Sequence, residues 1–128
     1  MSKLNINSSQ AKKIFSKLSL AWRIIAPVEK LGEGRFSDTA LIDYDVINDF
    51  DDIVFDRQTF FSAKSAVFPI RETLFNIHDK TINETDCNVK PAIIFLRACD
   101  IHALQVIDLH FIKDGVLCDK YYKRLREK

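Results

Sequence analysis

Glycine and proline are scarce in this sequence, three of each in 128 residues. That excludes a collagen-like repeat, a long flexible linker and a low-complexity stretch. Charge of one sign is lacking too: 19 Lys and Arg stand against 18 Asp and Glu, a net charge of +1. Nucleic-acid binding calls for a basic face or stripe, and an anionic membrane surface draws on the same excess. The balance therefore speaks against both as partners. No apolar run approaches the roughly 20 residues of a membrane span, and the stretch at residues 91–96 falls far short. The opening residues 1–7 lack the apolar core of a signal peptide. The location expected is the cytoplasm. Cysteine occurs three times, at Cys87, Cys99 and Cys118, with separations of 12 and 19 residues and no CxxC pair. An odd count without close pairs argues against a disulfide scaffold and against zinc-finger spacing.

Hydrophobic residues make up 47% and charged residues 29%, as in an ordinary globular protein. A chain of this length is expected to form one domain over residues 1–128, with a core of its own. Residues 8–19 have the spacing of an amphipathic helix, with Ala11, Ile14, Phe15 and Leu18 on one face and Ser8 or Ser9 as its cap. Residues 22–28 read as a strand that Pro27 places at an edge or at its end. The turn signal Gly32-Glu33-Gly34 and a returning strand at 35–44 complete a β-hairpin. The acidic stretch 45–59 reads as a short helix or loop followed by a short strand at 53–55. Residues 62–69 fit strand and helix equally. A strand is expected at 73–77 and a polar loop at 79–90.

The clearest unit is the stretch 92–112. Residues 92–97 are a continuous apolar run ending in Arg97, the pattern of a strand buried on both faces. From residue 101 the spacing turns helical, with Leu104, Ile107 and Phe111 on a stripe that Ile101 and Val106 widen. Ala98-Cys99-Asp100 is then the turn between them. The fold class expected is α+β or mixed α/β, a small mixed sheet with a few packed helices, including this strand–turn–helix unit.

A turn at the carboxyl end of a strand is where open α/β sheets place ligands. Asp100 is placed to cap the helix. Cys99 beside the positive helix end has a setting that favours thiolate, the form that ligates metal or attacks. Arg97 reinforces this if its guanidinium turns back. The same residues also admit plainer roles, Cys99 as a small buried side chain and Asp100 as a cap alone. A nucleophilic cysteine needs a positioned base, and His102, three residues on, points elsewhere on many helical turns. An iron–sulfur cluster commonly takes four thiolates, and this chain has three cysteines. Cys99 can therefore lend one ligand to a cluster completed beyond residue 128. Cys87 reads as a solvent-facing thiol and Cys118 as a packing residue.

Four ordered segments carry a family resemblance: Gly32-Glu33-Gly34-Arg35-Phe36-Ser37-Asp38-Thr39, Phe68-Pro69-Ile70-Arg71-Glu72-Thr73-Leu74-Phe75, Phe95-Leu96-Arg97-Ala98-Cys99-Asp100-Ile101-His102-Ala103 and Asp119-Lys120-Tyr121-Tyr122-Lys123-Arg124-Leu125-Arg126-Glu127. From about Trp22 onward the chain resembles the iron–sulfur electron-transfer subunit of anaerobic sulfite reductase. It is also similar to the β subunits of soluble sulfhydrogenases. The resemblance implies an electron-transfer role, with [4Fe–4S] clusters in a C-terminal ferredoxin-like region that these 128 residues do not contain. It implies two partners, a flavin-containing subunit that oxidises NADH and a sirohaem-bearing subunit that reduces sulfite to sulfide. The electron-transfer subunit relays electrons between them and is not catalytic, so the piece alone is expected to be inactive. Cys99, with Arg97 and Asp100 beside it, is the cofactor-binding candidate. Residues 120–128 agree with a continuing chain, since five basic residues and one acidic one end there without a stop signal. That basic segment would dock the ferredoxin-like region or stand as a solvated helix.

Gly32 and Gly34 are expected to serve backbone geometry. Arg35, Arg71 and Glu72 would form an ion pair or line a cofactor. Two other classes remain open. A flavin- or nucleotide-binding module has against it the lack of GxGxxG and P-loop patterns. The other is a cofactor-free protein–protein interaction domain, which Cys99→Ser in the full-length subunit would separate from the electron-transfer reading.

Overall fold

A computed structural model describes residues 5–36, 38–69, 71–85, 90–113 and 118–128. In chain order the elements are α1 (Ser8–Ala21), β1 (Arg23–Lys30), β2 (Leu41–Val46), β3 (Phe75–His78), β4 (Thr81–Glu84), β5 (Ala92–Ile94), α2 (Ala98–Asp108) and α3 (Lys120–Arg126). Single 3₁₀ turns occur at Phe50–Asp52 and Ala63–Ala66, and a π-helical turn at Leu109–Lys113. Among the described residues the fold is a mixed α+β fold, with three helices and two small sheets. The chain divides into two compact units, the first of residues 1–62 and 90–97, the second of residues 63–89 and 98–128.

In the first unit α1 starts one residue before the serines. Asn7 accepts the Gln10 amide on its side chain at 2.8 Å, and the Gln10 side chain accepts the Asn7 amide at 3.1 Å. This reciprocal pair satisfies amides that the first turn leaves free, so Asn7 and not Ser8 or Ser9 is the cap. On the expected apolar face Phe15 is buried and Leu18 half-buried, while Ile14 is 46% exposed.

β1 is the centre of a three-stranded mixed sheet. It pairs antiparallel with β2, from Ile25 opposite Val46 to Lys30 opposite Leu41, and parallel with β5, from Arg23 opposite Ala92 to Ile25 opposite Ile94. The expected hairpin is therefore present, with its second strand beginning at Leu41 and not at residue 35. Pro27 lies within β1, not at its end, and the ladder explains how. The Ile24 carbonyl accepts from Ile47 on the β2 side and the Ile25 carbonyl from Phe95 on the β5 side. The position at which Pro27 lacks an N–H faces the β5 side one rung beyond the last pair, Ile25 opposite Ile94, so the parallel ladder stops there. The Pro27 carbonyl accepts from Val54 at 2.9 Å. Phe15, Ile24, Ala26 and Ile47 form the core here, with Leu18, Val28, Ile53 and Phe95 packed against it. Burying a side chain the size of Ile24 contributes about 1.5–3 kcal/mol. Residues 53–55 form no strand; Asp49 caps the 3₁₀ turn before them by accepting the Asp51 amide at 3.1 Å.

β5 is shorter and less buried than its apolar run suggests. It pairs over three residues at the edge of the sheet, and all three are half-buried. The strand–link–helix order expected over 92–112 is observed, with the link moved. Residues 95–97 form it, and α2 begins at Ala98, so Cys99 and Asp100 stand in the first helical turn. Ala is the best helix former, and a carboxylate in the first turn complements the positive helix end.

In the second unit β3 and β4 form an antiparallel hairpin, Ile77 opposite Ile82 and His78 opposite Thr81. Residues 81–84 return as a strand and are not loop. Asp79 takes φ 53°, a left-handed conformation that Asp tolerates. The Thr81 hydroxyl donates to the His78 carbonyl at 2.8 Å and closes the two-residue turn. β-branched Thr81 and Ile82 are a strand signal hidden among polar neighbours. Every residue of both strands is exposed. In α2, Leu104 is buried, whereas Ile101 and Val106 are 45% and 53% exposed and widen no stripe. No helix among the described residues is long and apolar enough to cross a membrane.

Candidate functional site

The four segments singled out in the sequence fall into both units, and each unit gathers them differently. In the first unit, the loop at 32–39 and the end of the 92–97 stretch both reach the segment 57–60. The Arg35 guanidinium lies over the Phe60 ring, 5.1 Å from its centroid. Arg97 donates to the Arg57 carbonyl and, at 3.5 Å, to the Thr59 hydroxyl. Phe60 in turn donates its amide to Ile42 of β2 at 2.8 Å, which pins the segment to the sheet. Arg57 pairs with Glu29 at 2.7 Å. The hydrogen bond between them holds the Glu29 carboxyl below its ordinary range. Residues 57–60 carry no motif, so sequence reasoning misses them. Their one signal is Phe60-Phe61, two aromatic residues in a polar stretch.

The expected backbone role of the two glycines is observed. Gly32 adopts φ 75°. A Cβ on Gly34 would fall 2.1 Å from the Thr39 hydroxyl oxygen and 2.8 Å from its carbonyl oxygen, distances no real contact sustains.

In the second unit, Cys99 is exposed and Asp100 is buried, at 8% exposure, in the first turn of α2. His102 is also exposed, and among the described residues no side-chain hydrogen bond joins it to Cys99. The base that a cysteine nucleophile requires is not provided by His102. Cys118 is exposed too, and Cys87 lies outside the described residues. A cluster of four thiolates exceeds what three cysteines supply. Among the described residues no three His, Cys, Asp or Glu side chains gather as a metal-binding group. Cys99 offers one exposed thiol.

The segments 68–75 and 119–127 do come together. Asp119 caps α3 by accepting the amides of Tyr121 and Tyr122, both at 2.9 Å. That cap directs Tyr122, 2% exposed, against Phe68 and Phe111, with ring centroids 6.1 and 5.5 Å away. The Tyr122 hydroxyl donates to Asp108 at 2.6 Å, and Arg126 donates Nε and Nη2 to the same carboxylate at 3.1 and 3.2 Å. Burial, and then the Asp108 carboxylate beside it, pushes the Tyr122 hydroxyl far above its ordinary pKa. The bond to Asp108 raises that of Arg126. A cleft of about 220 Å³ opens between the two segments, walled by Phe68, Leu74, Tyr121, Tyr122 and Leu125 with the Glu72 carboxylate on its side.

The basic residues of α3 are neutralised within their own unit. Lys120 pairs with Glu84 at 3.3 Å, Arg124 lies 4.0 Å from Glu72 and 3.9 Å from Glu84, and Lys123 lies 3.8 Å from Glu127. The expected salt bridge of Glu72 is therefore with Arg124 and not with Arg35 or Arg71. Asp108 is the residue the sequence does not disclose: it stands 14 positions from Tyr122 and 18 from Arg126, beyond any local pattern.

No protein-family model matches the chain, and no solved structure matches it. Among curated proteins, the chain is 23% identical over 125 residues to the beta subunit of sulfhydrogenase 2 from Pyrococcus furiosus. The alignment takes in 97% of this chain and 34% of that protein. The chain is a distant relative of that subunit and spans about a third of its length.

Proposed function

We propose that the chain is the N-terminal part of an electron-transfer subunit in an oxidoreductase complex. The observation that carries this reading is the alignment, over 97% of the chain, with a subunit of a sulfhydrogenase. More finely, the subunit is that of anaerobic sulfite reductase. It relays electrons in the cytoplasm from an NADH-oxidising flavin subunit to a sirohaem subunit that reduces sulfite to sulfide. The four ordered segments from Gly32 to Glu127 support this choice. The clusters, of the [4Fe–4S] kind, are held by protein beyond these residues, and Cys99, exposed at the start of α2, gives one ligand. Arg97 and Asp100, its neighbours in sequence, are the further cofactor-binding candidates, although the Arg97 guanidinium is engaged by the Arg57 carbonyl and the Thr59 hydroxyl.

The test is the complete subunit purified with its two partners. The complex is expected to reduce sulfite with NADH. Cys99→Ser should lower both the iron content and the rate of NADH-dependent reduction. Unchanged iron and rate would remove Cys99 from the cluster. Reduction of sulfur or protons in place of sulfite would overturn the finer assignment and leave the electron-transfer role standing.

A second reading, an interaction domain without cofactor contact, draws on the first unit, where Leu31 and Phe36 are 82% and 70% exposed. It is favoured if iron, flavin and rate are all indifferent to changes in residues 97–100.

A further inference from the structure

In the segment from Gly32 to Thr39, the described residues Gly34, Phe36 and Thr39 are tied together by hydrogen bonds. Two of its positions, Gly32 and Gly34, admit no side chain without strain or displacement. Gly34 donates its amide to the Thr39 carbonyl at 3.0 Å, and Thr39 donates its amide and its hydroxyl to the Phe36 carbonyl at 3.0 and 2.9 Å. Yet the side chains so fixed meet water: Phe36 is 70% exposed and Leu31, just before the loop, 82%. Hydrogen bonds that preset the backbone around an exposed aromatic side chain lower the ordering cost of binding.

Arg35 joins this loop to a second aromatic pair. Its guanidinium lies on Phe60, which meets Phe61 edge-on at 4.9 Å, and both rings are about half exposed. Among the described residues no carboxylate lies within ion-pair distance of Arg35. Stacking on a ring leaves the guanidinium its full charge and its in-plane N–H donors, the fork that receives a carboxylate. Exposed aromatic residues around an arginine are the composition of interface hot spots.

We propose that Arg35, Phe36, Phe60 and Phe61 form a docking surface for a protein partner that presents a carboxylate flanked by apolar side chains. Charge complementarity selects this occupant. Two copies of the chain facing each other across the patch bring two uncompensated guanidiniums together, which is unfavourable. The surface lies wholly within the first unit, and the proposal stands apart from the role of Cys99.

The probe is a short peptide alternating glutamate with leucine and phenylalanine, titrated into the isotope-labelled chain and followed by NMR. One control peptide carries lysine for glutamate, another serine for the apolar residues. Only the first is expected to give saturable shifts at Arg35, Phe36 and Phe60. Arg35→Glu and Phe36→Ser should each weaken it about tenfold or more, and Arg35→Lys less. Both side chains are exposed, so these variants keep the fold, which circular dichroism checks. Gly34→Ala, which disturbs the loop but removes neither side chain, should also weaken binding. No saturable shift, equal binding of the lysine peptide, or full affinity in Arg35→Glu would overturn the proposal. So would a dimer of the chain alone that Phe36→Ser abolishes, since that assigns the patch to a second copy.

Discussion

The two units bury different things. The first is held by aliphatic and aromatic packing, with Phe15, Ile24, Ala26 and Ile47 each at most 4% exposed. In the second, the buried Tyr122 ring carries a polar group: its hydroxyl is tied to Asp108, which Arg126 also holds. Its hairpin β3–β4 buries none of its residues. Packing is non-directional and tolerates volume-conserving change. A hydrogen-bonded network depends on every member, because each partner left behind is desolvated without compensation. The first unit should therefore respond to lost volume and the second to lost polar partners and to pH.

The largest effect is expected from Ile24→Ala, which empties a fully buried position at the centre of the sheet. A loss of about 2–5 kcal/mol follows from truncation plus cavity, read by urea unfolding. Amide exchange should quicken along β1. Asp108→Ala comes next, at about 2 kcal/mol, since it strands a tyrosine hydroxyl and a guanidinium in part-buried surroundings. Faster exchange in α3 is the signature. An Asp108→Ala loss as small as that of a surface residue would erase the contrast between the units.

Alkaline titration sharpens the contrast further. The Tyr122 pKa is raised in the fold. Its contribution is therefore full below the unfolded value of about 10 and is lost as pH rises from there through the folded value. Phenolate absorbance should show a late phase well above the ordinary tyrosine range. Tyr122→Phe should abolish that late phase along with its share of the alkaline destabilisation. The smallest effect belongs to the Lys30–Asp45 pair of the first unit, 2.8 Å apart with Asp45 half exposed. Its bond to Lys30 lowers the Asp45 pKa. The contribution is thus present above the unfolded value and fades as pH falls through the folded one. Asp45→Asn should cost about 0.2–1 kcal/mol at neutral pH and less in high salt.

Much of the architecture follows from local chemistry. The period of Phe15 and Leu18, the alternation of Ile42 and Tyr44 with aspartates along β2, the glycine turn and the switch from apolar run to helix near residue 98 are all patterns of neighbouring residues. The hairpin at 75–84 escapes such reading because its strands, exposed on both faces, have no buried face to impose alternation. The placement of Cys99 depends on a shift of three residues in where a helix begins, within the range over which boundary signals are weak.

The sequence by itself determined the α+β class, the two glycine positions of the 32–39 loop, the thiol at residue 99 and the kinship with a sulfhydrogenase subunit. Each rests on residue types and near-neighbour spacing. Only the tertiary structure decided that Arg35 rests on Phe60, that Arg97 holds the 57–59 segment, that Asp108 is the partner of Tyr122 and that the basic residues of α3 are neutralised by Glu72, Glu84, Asp108 and Glu127. Most of these pairs lie more than ten residues apart in the chain, where no backbone period fixes which side chains meet. Their meeting is set by the packing of whole elements.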